Sequence, residues 1–149
     1  MKSIFNKADN EALISRINKL TAESQPLWGK MDVSQMLAHI TTPLLVMKGE
    51  VKINFTLLGM LFGKSLKKKY LRDRGFGKNL PTHTKFKVVD SKQFAAEQKK
   101  FIELLQELLT KGTAIITKNK HPFFGNMSIQ EWEDMMYLHV EHHLKQFGV

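Results

Sequence analysis

The sequence predicts an all-α protein, a four-helix bundle with one long crossover, and three observations lead there. Apolar residues recur at helical spacing through four separate stretches. Residues that start and stop helices bracket those stretches, and no segment of more than a few residues alternates as a strand does. The chain's 149 residues, 42% hydrophobic and 25% charged, are enough for one domain over 1–149 that buries its own core.

The first helix is expected from about Ala8 to Ala22, with Leu13, Ile17 and Leu20 on one stripe. Pro26 and Gly29 break the chain after it. Asp32 followed by Gln35 forms a capping box for a second helix, "VSQMLAHITTPLLVMKG", with Met36, Ile40 and Met47 inward. Pro43 is expected to kink that helix and Gly49 to end it. A third long helix follows Asp90, from about Ser91 to Lys111, with Phe94, Phe101, Leu105 and Leu108 on one face. Gly112 stops it. The fourth starts at Ser128, again with a glutamate, Glu131, in the capping-box position, and runs to about Phe147. The crossover between the second and third helices is expected to hold one or two short helices within "INFTLLGMLFGKSLKKKYL".

Composition narrows the chemistry. Without cysteine there is no disulfide, no thiolate nucleophile and no cysteine-held metal, so any metal must sit on nitrogen and oxygen ligands. The N-terminal residues lack a signal-peptide core, and the most apolar run, "INFTLLGMLFG", is too short to span a bilayer. A cytoplasmic location is expected. The net charge of +9 favours anionic partners by steering.

Three of the six histidines, His139, His142 and His143, fall in the last helix. At about 100° per residue, Trp132, Met136, His139, His143 and Phe147 share a sector of about 80°. His139 and His143 therefore stack one turn apart on the face that must meet the other helices, while His142 lies on the flank. Two imidazoles at that spacing can grip one ion, of which zinc, nickel or iron suit nitrogen ligands best. A third ligand must come from another helix, and His39, beside the Met36/Ile40/Met47 stripe, is the candidate. The segment "HVEHH" has no glutamate where a zinc protease carries its general base, so no catalytic residue is assigned.

Two segments, "WGKMDVSQMLAHI" and "HPFFGNMSIQEWEDMMYLHVEHHLKQFGV", resemble the DinB/YfiT-like superfamily. More narrowly they are similar to its bacterial branch of unknown function, whose last helix is rich in histidine and ends in RQFG- or KQFG-type residues. The resemblance covers both ends of the chain well and the middle loosely. It implies a four-helix bundle with a metal held by one histidine of the second helix and two, four apart, of the fourth. Carried over by position these are His39, His139 and His143. It also implies chemistry of the kind found in relatives, thiol-dependent transferases and isomerases that use low-molecular-weight thiols, without naming a substrate.

The expected function is accordingly that of a metal-dependent enzyme acting on a small molecule, a hydrolase or a thiol S-transferase. The rival is a non-enzymatic module for a small molecule or membrane surface, its metal structural or absent. His121, His142, Trp132 and Met136 are candidate pocket residues, with the simpler reading of His121 a loop residue that packs the entry of the last helix, and His83 is expected at the surface. Lys64, Lys67, Lys68, Lys69, Arg72 and Arg74 form a candidate anion or membrane patch, with the simpler reading a solvated basic face on a short helix. No DNA- or RNA-binding motif accompanies the charge, so specific nucleic-acid binding is not expected, while a homodimer is compatible with the exposed helix faces.

Overall fold

Both capping boxes read from the sequence form. The Gln35 N–H donates to the Asp32 carboxylate at 2.8 Å, and the Asp32 N–H donates back to Gln35 Oε1 at 3.1 Å. Glu131 and Ser128 repeat the exchange at 3.1 and 2.9 Å. In this computed structural model, which describes residues 2–80 and 86–149, the two boxes open the helices that carry the histidines. The described residues fold into α1 (Lys7–Ile17), α2 (Val33–Lys48), α3 (Leu57–Asp73), α4 (Phe94–Lys111) and α5 (Ile129–Gln146). A 3₁₀ turn over Gly112–Ile115 follows α4. The chain is all-helical, and none of these helices is long and apolar enough to cross a membrane.

The expected stripes are the buried ones. Leu13 and Ile17 of α1, Met36, Ile40 and Met47 of α2, Phe101, Leu105 and Leu108 of α4, and Trp132 and Met136 of α5 enter one core. There α2 packs on α4 and α5, and α1 packs on α4 and α5. Gly49 ends α2 in the left-handed conformation, at φ 80°, which glycine adopts without strain.

Helix ends differ from expectation for local reasons. α1 stops at Ile17, not near Ala22, because the next amides turn back on Arg16 and Ile17 carbonyls, and the Ser24 hydroxyl takes the Thr21 N–H. Leu20 is buried all the same. α4 begins at Phe94, after a Gln93 that makes no side-chain cap bond, so Asp90 does not start it.

The largest correction lies in the crossover. Among the described residues it holds one α-helix, α3, of 17 residues, packed on α5. Its buried residues are Gly59, Gly63 and Lys67, one turn apart. A β-carbon at Gly59 would stand 2.6 Å from the Phe123 carbonyl oxygen, and one at Gly63 would overlap the same atom. The helix backbone thus lies directly against the loop before α5. Lys67 is no part of a solvated face: its ammonium donates to the Asn126 carbonyl at 2.8 Å and pairs with Glu131 at 2.8 Å. That contact clamps α3 to the first turn of α5.

Gly63→Ala tests this packing. Helix propensity alone would favour alanine by about 1 kcal/mol. The clash is with backbone, which cannot rotate away, and overpacking of this kind costs about 1–3 kcal/mol or more. The expected outcome is a net loss of stability in urea denaturation. A variant as stable as the parent would show that α3 does not sit this close.

Candidate metal centre

His39 leaves the inner face of α2, and His139 and His143 leave consecutive turns of α5. Their ring centroids are 5.0 Å apart for His39–His139, 4.7 Å for His39–His143 and 4.7 Å for His139–His143. One ring nitrogen from each lies within 4.8 Å of the other two. Nε2 of His39 and Nε2 of His139 are 3.2 Å apart. Two nitrogens bound to one tetrahedral zinc stand about 3.3 Å apart, so this spacing suits a shared ion. A single proton between the two nitrogens would satisfy the same distance. Among the described residues no carboxylate or fourth histidine joins the group.

The outer nitrogens decide which lone pairs are free. His39 Nδ1 is 2.8 Å from the Phe86 carbonyl oxygen, which only accepts, so Nδ1 carries the proton and Nε2 its lone pair. His143 Nδ1 is 2.7 Å from Gln146 Oε1. The Gln146 amide cannot be turned the other way, because its Nε2 donates to the Trp28 carbonyl at 2.6 Å. His143 Nδ1 therefore donates too, and its Nε2 faces the other histidines. Backbone joins the same tie, with the Leu27 N–H donating to the Gln146 carbonyl at 2.7 Å. These partners fix ring orientation as the outer partners of metal-bound histidines do.

Charge is kept out of the site. Burial holds His39 below its ordinary pKa, although the Phe86 bond opposes this. Burial pushes His143 down to about 3, helped by neighbouring His39. His139 keeps an exposed edge, yet its dense surroundings and then His143 and His39 hold it well below the usual value. Three neutral imidazoles are the form that binds metal.

Around the triad the rings of Phe76, Trp28 and His142 form a rim. Phe76 lies 5.7 Å from His139 and 6.0 Å from His142, and Trp28 lies 5.8 Å from His142. Lys78 Nζ sits 4.4 Å over the Trp28 ring. His142 is outside the convergent group but is not turned to open water, since it bonds the Phe76 backbone and touches the His143 ring edge-on.

The other candidate pocket residues are core. His121 Nδ1 accepts the Phe123 and Phe124 N–H groups at 3.0 Å each, and its ring stacks on Phe124 and lies tilted against Trp132. It closes the turn before α5, and burial with Lys67 nearby pushes its pKa down to about 3. Trp132 and Met136 are buried in the core, and neither provides an accessible surface. His83 lies outside the described residues. Sequence reasoning missed Gln146, Phe86, Phe76 and Trp28 as supports of the site. For Gln146 and Trp28 a signal existed, in the "KQFG" and "WGK" segments of the resemblance, without a role attached.

Gln146→Leu keeps the size of the side chain while removing both hydrogen bonds. Loss of such an outer partner is expected to weaken metal affinity about 10- to 100-fold. The measurement is competition with a chelator, and unchanged affinity would mean Gln146 does not orient His143.

Fold and site together define an all-helical protein with three histidines placed to hold a metal ion. The chain belongs to the family described as protein of unknown function (DUF1569), whose family model matches residues 3–148. No curated protein and no solved structure matches it.

Proposed function

We propose that the chain is a DinB/YfiT-like four-helix bundle, α1, α2, α4 and α5 forming the bundle and α3 the crossover. In this reading it holds one divalent metal, zinc, nickel or iron, through His39, His139 and His143. It serves as an enzyme acting on a small molecule, by hydrolysis or by transfer of a low-molecular-weight thiol. The observation that carries the proposal is the convergence of three imidazoles from two helices, two of them with their outer nitrogens already bonded to acceptors.

The metal would supply a Lewis acid able to acidify a bound water or thiol or to polarise a carbonyl. The protein does the rest. The Phe86 carbonyl and Gln146 hold protons at the outer nitrogens, and Phe76 packs against His139 and Trp28 against His142. Lys78 puts positive charge beside Trp28, which favours an anionic group there.

The test is a cobalt-loaded protein. Its visible spectrum is expected to change on titration with 2-mercaptoethanol or azide, because three neutral ligands leave the ion its full charge and a position to fill. Electrophilic small molecules with a thiol, and esters and amides with water, are the first substrates to try. A spectrum indifferent to thiol, azide and pH would mean a closed centre, and the enzyme reading would give way to a binding module.

A further inference from the structure

The crossover helix α3 reverses the usual relation between side-chain type and burial. Its inward stripe is Gly59, Gly63 and Lys67, while Leu57, Leu58, Met60, Leu61 and Phe62 are each between 53 and 71% exposed. Every outward position of its first two turns is thus a large apolar side chain. Farther along the same helix the outward positions turn basic: Lys64, Lys68, Lys69 and Arg72 are exposed. Lys69 and Arg72 share Asp73, at 2.5 and 2.8 Å. Lys64 and Lys68 pair with no carboxylate among the described residues.

Leu57, Leu61, Lys64, Lys68 and Arg72 fall within about 80° of arc, one stripe running from apolar to cationic along the axis. Over 17 residues that stripe is about 26 Å long. The support is rigid, since the glycines seat the helix on the Phe123 backbone and Lys67 is clamped to Glu131 and Asn126. The outward face is therefore presented as built, with no unfolding needed to expose it.

We propose that this face docks on an anionic lipid membrane, with the first two turns of α3 entering the acyl boundary and its free lysines meeting the headgroups. Apolar side chains beside a basic run match the two layers of such an interface in order. A second copy of the chain fits the face less well. Paired antiparallel about a twofold axis at the middle of α3, the leucines of each copy would meet the lysines of the other, and an axis over the first two turns would leave Lys64 and Lys68 with no anionic partner. Paired parallel, each lysine would face its own copy. A nucleic-acid backbone would use the lysines and leave the leucines in water. The docking is independent of the metal reading, because no residue of the histidine group takes part.

The experiment is flotation of the full chain with vesicles of phosphatidylcholine alone or with phosphatidylserine added. Binding is expected only to the anionic vesicles, and it should weaken at about 1 M salt, where the Debye length is about 3 Å. Each basic side chain near such a surface contributes about a five-fold gain in partitioning, so Lys64→Gln/Lys68→Gln should lose about 25-fold. Leu58→Glu/Leu61→Glu should not float at all. Both variants change exposed side chains only, so circular dichroism and metal content should match the parent, and sedimentation equilibrium should show no self-association of the parent. Equal binding to neutral and anionic vesicles, no binding, or variants that float like the parent would overturn the proposal. So would self-association abolished by Leu58→Glu/Leu61→Glu, which would give the face to a second copy.

Discussion

Single replacement of His39, His139 or His143 by alanine is expected to remove stoichiometric metal, while His142→Ala leaves it in place. Apparent binding energies of structural zinc sites, about 10–16 kcal/mol over four ligands, correspond to about 2.5–4 kcal/mol per ligand. Losing one ligand then weakens binding about 60- to 700-fold, by about 1.4 kcal/mol for each factor of ten. Removing any member of the group breaks the convergence seen at 4.8 Å or less. His142 stands outside that group and bonds the Phe76 backbone instead. Elemental analysis of protein purified without tag or chelator reads the result, with circular dichroism to show that each variant is folded. Full metal content in all three variants, or its loss only with His142→Ala, would place the centre elsewhere.

Metal affinity is expected to resist acid far better than histidines in water would. With an unperturbed pKa of about 6.5, three imidazoles would cost about 10⁴-fold in affinity between pH 7 and pH 5, through competition with protons. Here the free protein holds His143 down to about 3 and His139 well below its ordinary value. His143 therefore stays neutral across the interval, and the downward shift of His139 acts in the same direction. Even unperturbed, His39 alone would cost at most about 25-fold, and burial lowers it too.

Folding stability moves the other way. Below about pH 6.5 the unfolded chain takes up protons that the folded one refuses at His121 and His143, so the metal-free fold weakens as pH falls toward 3. The slope is at most about 1.4 kcal/mol per pH unit for each group. Affinity by chelator competition at pH 7 and pH 5, on protein checked to be folded at both, separates the two effects. A 10⁴-fold drop would mean the histidines are as hydrated as free imidazole.

What was legible in the sequence depends on residues close together in the chain, although not every local contact was read: the Thr21–Ser24 bond that follows α1 was missed. Capping boxes at Asp32 and Ser128 join residues three apart, and the alignment of His139 with His143 follows from the pitch of one helix. The inward stripes of α1, α2, α4 and α5 were readable because large apolar side chains there gain by leaving water. His39 required one further step, that an inward position on one helix meets an inward position on another.

Tertiary structure decided the rest. A carbonyl such as those of Phe86 and Trp28 exists at every residue, so no side-chain pattern marks which one will orient a histidine or its glutamine. Burial in α3 is set by how closely two backbones approach. That selects Gly59 and Gly63 for the inside and leaves Leu57 and Leu61 outside, against the rule by which hydrophobic periodicity is read. Lys67 looked like its neighbours Lys68 and Lys69, and only the placement of Glu131 and the Asn126 carbonyl buried it. Sequence determined the capping boxes of α2 and α5 and the inward stripes of α1, α2, α4 and α5; which faces meet, and how near, is settled by packing between segments far apart in the chain.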